Sequence, residues 1–375
     1  MFRLSRTPLL ALALAVFPAV AGAQSSERSS ERSSARSIER MADQIAAAAE
    51  RMAARVEKHA TLMADRIERE FERKRKSDPS WNWDDDRRRS RRDDDDDVQQ
   101  LRSRIDTTVV FSPDGTIDLS NLAGDIIVNG WSRREAQIKA TSERGNLSLD
   151  IASSRITLEV EGRGSMWGNR DRGETRYEVS VPRGVRVIAR STSGDVTVKG
   201  TGGEVEAGST SGDVQVEDAT RRIELSSISG DVTGRALKGS IDATSVSGSV
   251  ELENAEGELH AGTTSGDVVL TNVTSRDVEA STTSGEVTFS GDMSADGRYE
   301  FHSHSGDIQL TIPTSANARF SVETFSGELD SDFPITLQPG DRASRRPRRF
   351  EFSVGNGGAR VIAESFSGDL IIRKR

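Results

Sequence analysis

Nine short triplets hold most of the side chains on which chemistry could be built: Ser193-Gly194-Asp195, Ser211-Gly212-Asp213, Ser229-Gly230-Asp231, Ser247-Gly248 followed by Ser249, Ser265-Gly266-Asp267, Ser284-Gly285-Glu286, Ser305-Gly306-Asp307, Ser326-Gly327-Glu328 and Ser367-Gly368-Asp369. Their glycines are separated by 18, 18, 18, 18, 19, 21, 21 and 41 residues. If the copies stack, the acidic residues form a column, and hard cations such as calcium favour rows of carboxylate and carbonyl oxygens. The same geometry serves a plainer purpose. Glycine accepts the positive φ of a tight corner, and flanking Ser and Asp hydrogen-bond the amides that the corner frees. Carboxylates about 4.8 Å apart in water repel by only about 0.9 kcal/mol, which a corner tolerates. The triplet lacks the paired glycines and G-x-D-x spacing of calcium-binding nonapeptide repeats, so corner capping is the preferred reading and no metal is assigned.

The remaining candidates carry less. His302 and His304, in "EFHSHSGD", share the outer side of a strand with Glu300 by their spacing of two. Without a third strong ligand they read as exposed surface. A glycosidase needs two functionally distinct carboxylates, and a serine nucleophile needs one distinctive base. Here acids and serines recur alike in copy after copy. No P-loop, zinc-type or dinucleotide fingerprint occurs. The residues therefore point away from an enzyme: no catalytic residue and no cofactor is assigned.

Elements that could hold the triplets follow from the pattern between them. A period near 20 residues is the signature of a solenoid. Each period contains two apolar alternations. One follows the glycine (Val196 and Val198, Val214 and Val216, Val268 and Leu270), and one precedes the next triplet (Val205 and Ala207, Ile223 and Leu225, Val278 and Ala280). Alternate positions are polar, so one side of each strand is buried and the other wet. A single unit cannot fold, because burying four apolar side chains yields roughly 6 to 12 kcal/mol while ordering about 18 backbones costs roughly 18 to 36. Stacked units can, since each lends its neighbours hydrogen bonds and a lid. The expected fold is all-β: a parallel β-helix or β-solenoid with rungs of about 18–21 residues, about 4.8 Å apart. Extra residues of the longer periods fall in the second, looser corner, as in "SGDMSADGR" at 290–298. The 41-residue interval implies one degenerate turn, interrupted by the basic loop "DRASRRPRR" at 341–349.

Ahead of the repeats the chain changes character. Arg3 and Arg6, an apolar run from Pro8 to Val20 and Ala21-Gly22-Ala23 read as a signal peptide (1–23) cleaved after Ala23. Residues 24–37 are a flexible Ser/Glu/Arg leader. Met41, Ile45, Ala48, Met52, Val56, Ala60, Met63, Ile67 and Phe71 mark one face of a long amphipathic helix over 38–76, which docks on its own domain, frays in solution or pairs with another copy as a coiled coil. Residues 77–105, with "WNWDDDRRRSRRDDDDD" at 81–97, read as a disordered charged linker. The solenoid domain is assigned to 106–375.

Composition sets outer limits. There is no cysteine, hence no disulfide, thiolate site or lipoprotein-type anchor. The formal charge is −9; Arg3 and Arg6 contribute +2 and residues 24–105 contribute +1 (20 Lys and Arg against 19 Asp and Glu), which leaves residues 106–375 at −12. Such an acidic domain repels phosphate backbones, so nucleic acid is not an expected partner. No apolar run after the signal is long enough to span a bilayer.

The recurring triplets, "LSNLAGDIIVNGW" at 119–131, "VSVPRGVRVIARS" at 179–191 and "ARVIAESFSGDLIIRKR" at 359–375 together resemble the bacterial putative-adhesin family of β-strand-repeat domains of unknown function. The resemblance implies an exported, right-handed β-solenoid-like domain at the cell envelope, without established catalytic residues. The expected protein is thus a non-enzymatic periplasmic, secreted or cell-surface module. Its rigid acidic solenoid presents a surface to an envelope or extracellular partner, protein or glycan, and the N-terminal helix allows a homo-oligomer. The alternatives are a structural or regulatory scaffold for another envelope protein and, less favoured, a carbohydrate-active enzyme.

Overall fold

Alternating apolar residues and glycine corners produce strands throughout the part of the chain that the computed structural model describes, residues 103–143, 146–161, 174–335 and 348–375. The signal peptide, leader and helix of the sequence reading, and its linker up to residue 102, lie outside these residues. The first strand, β1 (Ser103–Val110), opens just inside the stretch read as linker.

Among the described residues, twenty-two strands, numbered in chain order, build two stacks. The stack that follows the corners runs β1, β4 (Glu135–Ser142), β7 (Thr175–Pro182), β3 (Ile126–Trp131), β9 (Val196–Lys199), β11 (Val214–Ser229), β12 (Val232–Ser247), β13 (Val250–Glu253), β15 (Val268–Ser284), β16 (Val287–Ser305), β17 (Ile308–Ile312), β22 (Leu370–Lys374) and β19 (Leu329–Ser331). The stack that precedes them runs β5 (Asn146–Ala152), β6 (Arg155–Glu161), β2 (Thr116–Asn121), β8 (Arg186–Ser193), β10 (Val205–Ser211), the second halves of β11 and β12, β14 (Glu256–Ser265), the second halves of β15 and β16, β21 (Ala359–Ser367), β18 (Ala318–Thr324) and β20 (Arg348–Val354). Pairing is parallel except at the ends, where β1–β4, β4–β7, β5–β6 and β18–β20 are antiparallel. Equivalent residues of successive rungs are register partners: Val205, Ile223, Ile241, Leu259, Val278 and Tyr299 form one continuous buried row. Like stacks on like, so every rung closes the apolar face of the one below it.

The second corner is fixed in conformation, not loose. Gly200, Asp218, Ala236, Asn254 and Asn272 have φ of 65°, 56°, 52°, 55° and 53°. Asp and Asn tolerate this left-handed state because their short polar side chains bond locally, whereas Ala236 adopts it at a cost. Extra residues of the longest rung do collect at this corner: opposite Ser275 and Asp277 the register jumps from Met293 to Arg298.

The C-terminal order differs from the chain order. The expectation of a degenerate turn between Gly327 and Gly368 is overturned, and Glu328 follows Asp369 in the column, not Asp307. β21 lies between β16 and β18, and β22 between β17 and β19, so the last rung in sequence is the last but one in space. In place of a degenerate turn, β20 runs antiparallel along the far side of β18. The same device occurs at the other end, where β2 is flanked by β6 and β8, and β3 by β7 and β9.

Candidate functional site: the corner column and the outer face

All nine triplet glycines stand in one column, in the spatial order 194, 212, 230, 248, 266, 285, 306, 368, 327. A Cβ on any of them would run into the carbonyl oxygen of the glycine one rung below. That close approach is common to all nine, whereas positive φ is not: Gly194, Gly212, Gly266, Gly285 and Gly306 have it (142° to 157°), and Gly230, Gly248, Gly327 and Gly368 do not. The column has a tenth member that the triplet count missed, Gly124 of "LAGDII", whose carbonyl lies beneath Gly194.

Aspartate caps the corner between rungs. The amide of Asp213 donates to Oδ1 of Asp195 (2.9 Å), Asp231 to Asp213 (2.9 Å), Ser249 to Asp231 (2.8 Å), Glu286 to Asp267 (2.8 Å), Asp369 to Asp307 (2.7 Å) and Glu328 to Asp369 (2.9 Å). Ser249 keeps the chain of bonds going with its hydroxyl, which accepts from Asp267 N at 3.3 Å. Glu286 is one methylene longer and instead accepts from the Thr288 hydroxyl (3.0 Å). Each of the six triplet aspartates is thus occupied by a backbone amide. Among the described residues, no three His, Asp or Glu side chains are grouped as metal ligands.

The triplet serines have a different place from the one expected. Ser193, Ser211, Ser229, Ser247, Ser265, Ser284, Ser305, Ser326 and Ser367 are all exposed. The hydroxyls that serve the corner stand two residues earlier: Ser209 donates to Gly194 O, Ser227 to Gly212 O, Ser245 to Gly230 O, Thr263 to Gly248 O, Thr282 to Gly266 O, Ser303 to Gly285 O, Ser365 to Gly306 O and Thr324 to Gly368 O, at 2.7 to 3.2 Å. These residues are buried, and each satisfies a carbonyl that no strand can reach. The signal was present in the sequence, since that position is Ser or Thr in every copy.

On the outer side of the second stack, Glu206, Glu224, Asp242, His260, Glu279 and Glu300 form a row of register partners. Arginines relieve its repulsion, Arg190 on Glu206, Arg222 on Glu224 (3.3 Å) and Arg298 on Glu300 (2.8 Å), and the His260 ring lies against Glu279 (3.2 Å). The Glu300 pairing raises the Arg298 pKa above its ordinary value. A parallel row holds Gly208, Ser226, Thr244, Gly262 and Ser281, all small, and then breaks into His302, Glu364 and Glu323.

That break corrects the reading of the histidines as plain surface. His302 is 7 % exposed, Glu364 8 % and Glu323 7 %. His302 Nδ1 lies 3.4 Å from Glu364 Oε2 but makes no hydrogen bond, and neither does Glu323 Oε1. Burial pushes the Glu323 carboxyl above the usual carboxylate range; the Arg349 charge opposes this and the Glu364 charge adds to it. His304 is exposed as expected, and its ring stacks on Phe366 (5.0 Å, 11°), which stacks on Phe325 (5.0 Å, 7°).

This geometry of glycine corners stacked in register coincides with a family match: residues 178–373 fit the family described as Toastrack DUF4097. The chain belongs to the Toastrack DUF4097 family. No curated protein matches it. Among solved structures, it is similar to a putative cell adhesion protein from Clostridium sporogenes, at 10% identity over 72% of this chain and 100% of that one, with a TM-score of 0.20. It is likewise similar to a putative adhesin from Bacteroides fragilis, at 12% identity over 72% of this chain and 96% of that one, with a TM-score of 0.37. The Toastrack match begins within β7 and ends within β22, so it spans the corner column from Gly194 onward and the break in the outer row.

Proposed function

We propose that this Toastrack protein is an exported, non-enzymatic envelope module that presents the outer side of its rod to a partner. On this reading residues 1–23 are a signal peptide removed after Ala23, 24–105 form the leader, helix and linker, and the β domain works in the periplasm, outside the cell or at its surface. The observation that carries the proposal is the division of labour at the corner. Buried hydroxyls and solvent-facing aspartates satisfy the backbone, and a separate column of exposed triplet serines runs beside them. A repeated row of identical exposed groups suits a partner that is itself extended or repetitive, which fits adhesion better than turnover, since catalysis requires one residue set unlike the rest. A glycan array probed with the mature protein tests this. Retention of linear glycans, lost when Ser211, Ser229 and Ser247 are replaced together by bulky Gln, is the expected result. Turnover of an envelope polysaccharide would overturn the non-enzymatic reading.

A second reading, a scaffold for another envelope protein, is favoured by the His304–Phe366–Phe325 stack, because partly exposed aromatic groups are enriched where proteins dock. Loss of a cross-linked envelope protein on Phe366→Ala, with glycan retention unchanged, would select it.

A further inference from the structure

Space and sequence disagree at one place in the rod where the disagreement has a consequence. β16–β17 and β18–β19 are consecutive in the chain, yet a whole rung separates them, and β21–β22 fills it. Until β21–β22 arrives, the two flanking rungs face each other across a slot whose backbone amides and carbonyls have no partner on that side. The contacts that fill the slot are those of the repeat. Ser365 donates to Gly306 O (3.1 Å) and Thr324 to Gly368 O (3.1 Å), and the amides of Asp369 and Glu328 donate to Asp307 and Asp369. None of them depends on the filler belonging to the same chain.

The seam around β21 is also the least satisfied part of the rod. Three buried side-chain atoms among the described residues lack a hydrogen bond: Thr201 Oγ1, His302 Nδ1 and Glu323 Oε1. Two of the three face β21 from either side, through Glu364. An unbonded buried polar group is costly, so this rung opens at lower cost than one in the middle of the rod.

We propose that the slot between β16–β17 and β18–β19 is a strand-acceptor site whose partner is a second copy of this chain. Each copy takes the β21–β22 rung of the other, giving a reciprocally exchanged dimer.

The absence of cysteine makes the test direct. Ser303 and Ser365 are buried register partners across β16 and β21. Full-length Ser303→Cys and Ser365→Cys chains, carrying tags of different size, are mixed at high concentration and then oxidised. Exchange places the two new thiols side by side and yields a covalent heterodimer; the pair Ser245→Cys and Ser365→Cys, which do not meet in any exchanged form, yields none. No heterodimer, while the double variant on one chain closes its internal disulfide, would overturn the proposal. A second measurement spares the seam from new thiols: light and isotopically heavy wild-type chains should give a mixed dimer by native mass spectrometry. Glu323→Gln, by relieving the seam, should slow its formation about tenfold. A mixed dimer indifferent to that change would come from elsewhere in the chain and counts against the exchange.

Discussion

A single methylene separates aspartate from glutamate, and the corner column registers the difference. Asp267 reaches the amide of Glu286, but Glu286 turns to Thr288 instead of the rung above. Capping by the acidic residue was legible in the sequence. The amide it caps was not, because that amide belongs to the next copy and local turn chemistry points only within one. The serines misled for the same reason: Ser209 and Ser211 look alike in sequence, and only stacking buries the first and exposes the second. Glu323 was not legible at all, since its register partner Glu364, with His302 on the far side of it, comes from a strand inserted out of chain order. Its buried carboxyl has a raised pKa, so it favours the folded state when protonated. That contribution is complete below the unfolded value and is lost as pH rises from there through the folded one. Glu323→Gln should therefore flatten the stability–pH curve upward from about pH 4.5 and raise neutral-pH stability by about 1–3 kcal/mol, measured by denaturant melts across pH. A variant with an unchanged curve would mean the carboxyl is already neutral or solvated.

At the scale of the rung, the two corners respond in opposite ways to similar substitutions. Gly230 has no positive φ, so Gly230→Ala tests crowding alone: its Cβ meets the Gly212 carbonyl, and a loss of about 2–3 kcal/mol is expected. Ala236 has open backbone preferences to gain. Ala236→Gly relieves a left-handed alanine at φ 52° and should stabilise by about 1 kcal/mol despite glycine's entropy. Shifts in urea midpoint at constant slope check both, and a neutral Gly230→Ala would show that the rungs can part slightly. The first corner announced itself as a triplet. The second hid because Gly200, Asp218, Ala236, Asn254 and Asn272 share a conformation without sharing a residue type, although Asn and Asp were the available hint.

For the molecule as a whole, parallel stacking followed from one number, the recurrence of glycine near every 18 residues. The order of the last rungs did not follow, because each rung is interchangeable with its neighbours and both orders obey the same repeat. That interchangeability is itself measurable. Removing residues 213–230 joins one corner to the next, and the chain should fold with a rod shorter by about 4.8 Å in its scattering envelope. Removing the equally long stretch 314–331 takes away the far wall of the seam and should prevent cooperative unfolding altogether. Equal damage from the two deletions would refute the special status of the seam.

In-register stacking also has a genetic reading. An eighteen-residue slice cut anywhere between Val196 and Val268 begins and ends at the same point of the cross-section, one storey apart. Copying errors in the gene that duplicate or drop such a slice would alter reach without disturbing either cap, so lineages can tune how far the protein projects by counting storeys rather than by redesigning a surface.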